Sequence, residues 1–546
     1  MLSDKYLAAL PAALVLLYSQ AEEDILSDMA RKIAAANFYL SSAQWQHERL
    51  QLLGMTSREI LRRLSALTQK TQRELRALIR DASAQTLLSD GLISRDEQGE
   101  IKLPKSVQAV VQAGLSRTSG TFENLTRTTA KTAAKQFENA LDRAYMQVTT
   151  GAFSTDAAIR QAVKDLSAQG VASIRYPSGR VDTLETAVRR AVVTGVNQTA
   201  IQAALERAKE LGAELMELKA HQGARPSHAA WQGKIVRVAG EPEAGESYLS
   251  LSDIGYGTGA GFGGWNCHHS WSPYWPGTAR TWTDEQLEAL KEPSVTYDGK
   301  PMTDYEASQQ QRYFERQQRR WKREYKAMEA AGQDTYEAAA KIREWQEKEK
   351  DFLRQTGRKA DADRATVAQF SWQDGKNAKK EAEENYLSWA KSIGVSDSVK
   401  NLAEYYDLKY NDPERFQLLQ TYAHDVEDGW ISPNAGFGNY LHQYDRIQTE
   451  IVGQTAANGI QITGLSKHFM QRVLGTAHDP GHEGRVRSGV EVDDIIDALQ
   501  NPLETGERKI MNNGKPSIVF QGRKCRVSVN PDEGILIQTT PKGGRA

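Results

Sequence analysis

Two cysteines, Cys267 and Cys525, are the only thiols in 546 residues. They lie far apart, which argues against a disulfide framework and for assembly in a reducing compartment such as a host cytoplasm. Net charge is equally scarce: 69 Lys and Arg against 70 Asp and Glu leave −1. No global field therefore draws the chain to nucleic acid or to a membrane, and any such attraction has to be local. A membrane-spanning run is missing too. The apolar stretch from Leu7 to Leu17 is interrupted by Pro11 and falls well short of the roughly 20 residues a bilayer span needs. With Asp4 beside Lys5 it also makes a poor signal peptide, so it reads as the buried face of a first helix, and no membrane partner is expected.

The length is ample for three or four modules. Residues 1–210 read as mostly helical: VLLYSQAEEDILSDMARKIA and RELRALIRDASAQTLL place apolar residues three and four apart. A Tyr-Pro-Ser-Gly turn at Tyr176 to Gly179 interrupts the pattern. Asp182, three residues before Glu185, is expected to cap the long amphipathic helix that follows. LMELKAHQ and KIVRVAG look like short strands flanking a small α+β module at 211–300. Residues 301–460 begin as a charged segment, EASQQQRYFERQQRRWKREYKAMEAAGQ and EAAAKIREWQEKEKDFLRQ. Its aromatic residues are spaced along polar helix, too thinly to form a core of its own. It reads as a helical hairpin or spacer lying on a partner, or equally as a solvated helix. Residues 356–460 carry helical patches and no recognisable motif.

What the chain has in abundance is chemistry in one place. Between Ala220 and Gly277 stand four of the ten histidines, four of the eleven tryptophans and one of the two cysteines. They are bunched with turn-forming Gly and Pro and do not follow a helical or strand period. His221, His228, Cys267 and His269 could offer three imidazoles and a thiolate to one ion, a set that suits zinc. The alternative is a hydrogen-bonded His/Trp core that needs no metal. Gly259 to Gly264 formally matches G-x-G-x-x-G, but Trp265, Asn266 and Cys267 follow where a helix would have to open, so a dinucleotide loop is rejected. The glycines are expected to let a loop fold tightly around the cluster.

This tract resembles the minor capsid proteins of tailed phages of the Mu F type, in the subfamily called phage minor capsid protein two. The residues that carry the resemblance are His221, Gly223 to His228, Trp231 to Lys234, Gly264 to Cys267 and His269. A weaker likeness extends over roughly residues 10 to 350. His268 stands where the pattern expects Arg, so His269 takes the matching role. The resemblance implies a portal-associated head protein, found in the virion, with portal and capsid proteins as partners. It also implies that His228, Cys267 and His269 fall at ligand positions, whereas His221 joins them by proximity alone.

From Gly464 the composition shifts again. SKHFMQRVLG and VEVDDIIDALQNP read as helices, and KPSIVFQ, KCRVSVN and ILIQTT as three strands of an antiparallel meander. Residues 461–546 thus form a compact α+β domain that resembles the barnase/EndoU/colicin/RelE-like nucleases at the ends of phage and toxin proteins. His468 and Arg472 are four apart on one helical face and could converge on a phosphate. In a metal-independent ribonuclease His468 would be the acid/base, Arg472 the phosphate clamp and Lys467 an auxiliary cation. Thr539 would supply a sheet-face hydroxyl, in preference to Thr540, which alternation turns the other way. RKCRVSVN, EGRVR and ERK supply a local basic field for an RNA substrate, tRNA or other host RNA. His478 and His482 are a reserve acid/base pair. Alternatively, the whole chain is structural and this last domain is an inactive binding module. The expected architecture is multidomain and mainly α with small α+β modules.

Overall fold

The computed structural model describes residues 4–242, 247–477, 486–511 and 514–542, and the chain divides into two units, residues 1–378 and 379–546. It is mainly helical with small sheets, as the sequence predicts. His478 and His482 lie outside the described residues. No helix among the described residues is long and apolar enough to cross a membrane.

The first unit opens with α1 (Asp4–Ala9) and α2 (Ala12–Ala35), separated at Pro11, which takes the N-cap of α2. Leu7, Leu10 and Leu14 are buried, the face expected of a first helix. Next come α3 (Ser42–Ala66), α4 (Thr68–Ser89), α5 (Lys105–Thr149), α6 (Thr155–Gln169), the hairpin β1 (Ala172–Arg175) and β2 (Val181–Thr183), and α7 (Leu184–Glu210). At 1.5 Å per residue the 45 residues of α5 reach about 67 Å. Its buried line, Leu115, Thr118, Phe122, Leu125, Thr129, Ala133, Phe137, Ala140 and Ala144, keeps the three-and-four spacing of one helical face.

Helices α5 and α7 cross in close contact because each supplies a glycine where the other supplies a threonine. A Cβ on Gly114 would run into Thr199 Oγ1, and one on Gly195 into Thr118 Oγ1. Each threonine hydroxyl is satisfied one turn back, by Gly114 O at 2.8 Å and Gly195 O at 2.7 Å.

The cap expected at Asp182 is displaced by one residue. Thr183 caps α7, its hydroxyl accepting from Thr186 N at 3.3 Å. Asp182 belongs to β2, paired with Ile174, and its buried carboxylate meets Arg190, Arg180 at 3.0 Å and Tyr176 Oη at 3.1 Å. The hairpin pairing holds Asp182 extended, and the next residue with a hydroxyl takes the cap.

After α7 the Cys/His module contributes β3 (Leu215–Leu218), α8 (Pro226–Ala229), β4 (Ile235–Arg237) and β5 (Trp271–Tyr274). It is followed by α9 (Asp284–Ala289), β6 (Val295–Tyr297) and β7 (Lys300–Met302). The charged segment is the hairpin of α10 (Asp304–Ala330) and α11 (Tyr336–Thr356), with the short α12 (Ala362–Ala365) behind it. The surface on which α10 lies is the chain's own, formed by α2 and α6. Sequence counting misses this because the contact is made by ionisable side chains: Glu22, Glu23, Arg323 and Glu324 are all buried, Arg319 Nε meets Glu185 of α7 at 2.9 Å, and Glu22 accepts from Val171 N at 2.8 Å. Glu315, on the side of α10 that faces α11 and α12, is buried as well.

Burial pushes the Glu23 carboxyl up to about 8 and those of Glu315 and Glu324 up to about 7, and it raises Glu22 in the same sense. Unfolded, such groups ionise near their ordinary value of 4.5. The unfolded chain therefore releases protons first, and the stability these carboxyls contribute is complete below about 4.5 and lost as pH climbs through 7 to 8. Lys322, pushed down to about 8, changes its contribution only above that. The melting temperature of the first unit is expected to fall between pH 5 and 8, with a shallower slope in Glu23→Gln. A melting temperature that climbs over that interval would refute the assignment.

Helix α13 (Trp372–Ser392) carries the chain across the division. The second unit continues with α14 (Leu402–Asn411), α15 (Pro413–Glu427) and α16 (Phe437–Glu450), then β8 (Gly464–Leu465), α17 (Lys467–Leu474) and α18 (Val492–Gln500). Strands β9 (Glu504–Thr505), β10 (Lys509–Ile510), β11 (Pro516–Gln521), β12 (Cys525–Val529) and β13 (Ile535–Pro541) complete it. The expected two helices and the β11–β12–β13 antiparallel meander are present. Strand β8 adds to β13 in parallel. At two residues it is too short for alternation to reveal it.

Candidate functional site

In the Cys/His module β3 is the central strand, antiparallel to β4 on one side and β5 on the other. All four of its residues are buried. Trp231, Phe262 and Trp271 pack with Met216 beneath the sheet, and Trp271 Nε1 donates to Ile201 O at 3.0 Å, tying the module to α7. Pro226 starts the short α8 that presents His228. Cys267 and His269 precede β5 on the chain that leaves the Gly-rich loop. That loop turns tightly: a side chain on Gly261 would strike the backbone of Gly255, and one on Gly264 that of Gly259.

Three side chains converge here, each no more than 2% exposed: His228, Cys267 and His269. Their ligand atoms form a triangle, with His228 Nδ1 to His269 Nδ1 3.3 Å, Cys267 Sγ to His269 Nδ1 3.6 Å and Cys267 Sγ to His228 Nδ1 3.9 Å. The outward nitrogens fix the tautomers. His228 Nε2 donates to Ala260 O at 2.9 Å. His269 Nε2 donates to Gln232 Oε1 at 3.2 Å, an oxygen that also accepts His221 N–H. Both Nδ1 atoms therefore carry lone pairs that face each other, and one thiol proton can satisfy only one of them.

Zn–S near 2.3 Å and Zn–N near 2.0–2.1 Å place tetrahedral ligands roughly 3.3 to 3.6 Å apart. Two edges of the triangle meet that requirement, and the third, Cys267 Sγ to His228 Nδ1 at 3.9 Å, would have to shorten by a few tenths of an ångström. The two Nε2–H donors to oxygen are the outer-shell contacts that metal-bound imidazoles ordinarily make. Burial pushes the His228 imidazole down to about 4, His269 well below its ordinary value and the Cys267 thiol up. Neutral imidazoles are the form a metal requires. His221 lies outside the triangle, its ring packed against that of His269 with centroids 4.4 Å apart.

In the second unit α17 carries His468 and Arg472, as expected, and brings them together: Arg472 Nε donates to His468 Nε2 at 3.2 Å. His468 Nδ1 donates to Gln471 Oε1 at 2.9 Å, and Gln471 Nε2 donates to Asp425 Oδ1 at 2.9 Å. Asp425 is fully buried. Lys467 Nζ sits 2.8 Å from the same Asp425 oxygen, so this cation is already matched by an anion. Thr539 is buried, its hydroxyl donating to Arg526 O on the neighbouring strand at 3.0 Å, whereas Thr540 is partly exposed.

Comparison with known proteins places the first unit. The family model for phage minor capsid protein 2 matches residues 2–354, nearly two thirds of the chain. The chain belongs to that family. A "structural protein" of Lactococcus phage LL-H is 30% identical over 235 residues, covering 40% of this chain and 60% of that protein. The chain thus spans less than two thirds of this relative's length. A "structural protein" of Lactococcus phage mv4 is 36% identical over 121 residues, 21% of this chain and 90% of that protein. No solved structure matches.

The matched segment of this minor capsid protein contains the whole Cys/His triangle, and it stops before α17. Sequence reasoning missed the residues that hold the triangle in place. Asn197 of α7 donates through Nδ2 to Cys267 O at 2.8 Å and His269 O at 3.1 Å, and Arg225 Nη2 holds Trp265 O at 2.6 Å. Asn197 sits mid-helix among VVTGVNQTA, where an isolated amide carries no signal of its partner. Gln232 stands inside the Trp231 to Lys234 run, and its bond to His269 follows only from the fold.

Proposed function

We propose that this minor capsid protein works at the portal vertex of the phage head. In this reading the helical region 1–210 docks on portal and inner capsid protein, the module 211–300 is stapled by zinc, segment 301–460 is a charged helical spacer, and 461–546 is a ribonuclease-like effector domain. The observation that carries the docking role is the apolar surface of α3. Met55 stands exposed on a groove that Leu40 and Leu52 also line, and Leu50 and Leu61 are exposed elsewhere around the same helix. Exposed apolar surface of this kind suits a protein partner.

Purified virions should contain the chain by mass spectrometry, and it should copurify with the portal protein from infected cells. Leu50→Glu with Met55→Glu should release it while leaving the circular dichroism unchanged. Particles that lack the chain although it is made normally in infected cells would count against the docking role.

Zinc at His228, Cys267 and His269 is supported by the triangle and its tautomers, and it would act as a structural cross-link in a small Gly-rich module. The ribonuclease reading is supported by the chain of contacts from Asp425 through Gln471 and His468 to Arg472, which sets His468 with its proton on Nδ1 and its lone pair on Nε2. When an RNA phosphate takes the guanidinium of Arg472, Nε2 is left to accept the 2′-OH proton. A second reading, a terminal domain that binds without cutting, is favoured by Lys467 being matched to Asp425 and by Thr539 being turned to Arg526 O.

A further inference from the structure

We infer that His221 is the fourth ligand of the Cys/His site, so that it closes as a Cys/His3 structural centre without an open position. This inference rests on the zinc reading above. His221 Nδ1 donates to Gln222 O at 2.9 Å, which leaves the ring's lone pair on Nε2. That atom is shielded from solvent and has no hydrogen-bond partner among the described residues. A buried acceptor left unmade is costly, and a bound metal ion would satisfy it.

The ring already lies over His269, with centroids 4.4 Å apart and planes inclined by 42°. The two residues are also coupled through Gln232, whose Oε1 accepts both His221 N at 3.2 Å and His269 Nε2 at 3.2 Å. Turning the His221 side chain toward the triangle gives up its bond to Gln222 O and keeps the backbone anchor on Gln232, and the triangle supplies three ligands where a structural zinc takes four. The three triangle residues are almost completely buried, which favours a closed protein ligand over an exchangeable water. Open positions belong to catalytic zinc, four protein ligands to structural zinc.

The test is cobalt and zinc titration of the full-length chain, prepared metal-free. The parent should take up one Co2+ with the strong visible bands of a four-coordinate ion and one thiolate charge-transfer band. X-ray absorption of its zinc form should count three imidazoles and one sulfur. His221→Ala should bind Co2+ at least tenfold more weakly with altered visible bands, and His221→Cys should gain a second thiolate charge-transfer band. Two imidazoles in the parent, or a His221→Cys spectrum with a single thiolate band, overturns the assignment and leaves the three-ligand site standing. A parent chain that takes up neither metal overturns both.

Discussion

The purified chain is expected to carry about one zinc ion, and stripping that ion should lower the melting temperature of the first unit. Binding free energy at a site that exists only in the folded chain is folding free energy. With free zinc a thousandfold above the dissociation constant, the ion contributes about 4 kcal/mol. His269→Ala should lose the ion and, in addition, open a space beside Trp231, whose ring lies 4.7 Å from His269. Cys267→Ser keeps the volume and removes the thiolate, so it isolates the metal's share. Chelation that removes no metal, with melting unchanged, would leave a hydrogen-bonded His/Trp core as the answer.

The second large effect is expected on RNA. The full chain should cleave total RNA or tRNA with chelator present, because imidazole acid/base chemistry needs no divalent ion. His468→Ala should cost on the order of 10²-fold or more in rate, the usual share of a general acid or base. Arg472→Ala should slow the reaction and weaken its dependence on salt, since one phosphate contact is gone. Asp425→Asn keeps the shape of the buried partner while removing its charge, and it should shift the pH profile of cleavage if Asp425 orients His468 through Gln471. A folded chain inert on RNA, or a His468→Ala variant that cuts as well as its parent, establishes the binding-module reading.

The sequence displayed its elements of regular period and its clustered rare residues, and concealed whatever depends on polar burial. The Cys/His tract was legible because Cys, His and Trp bunched with Gly have no packing explanation, and the terminal meander because KCRVSVN and ILIQTT alternate. The packing of α10 was concealed: QRYFERQQRRWKREYK looks solvated, and only the buried Glu22 and Glu23 of α2 show why those cations turn inward. Asp425 was illegible for the same reason. It reads as an ordinary helical acid in TYAHDVEDGW, and its worth lies in Lys467 and Gln471 some forty residues away.

The crossing of α5 and α7 has a consequence for how the first unit comes apart. Both helices belong to two hydrophobic cores at once: Leu115 and Ala200 lie in the helical core, Val107 and Ile201 in the core under the Cys/His sheet. Asn197, between them, grips the backbone of Cys267 and His269. The module has only the one-turn α8 as a helix of its own and leans on α5 and α7, so loosening it removes one wall of its neighbour. Hydrogen exchange should find the amides of β3 and those of mid-α5 opening with one common free energy, and removal of a bound metal should be felt roughly 13 Å along α5 beyond the contact of Thr118 with Gly195.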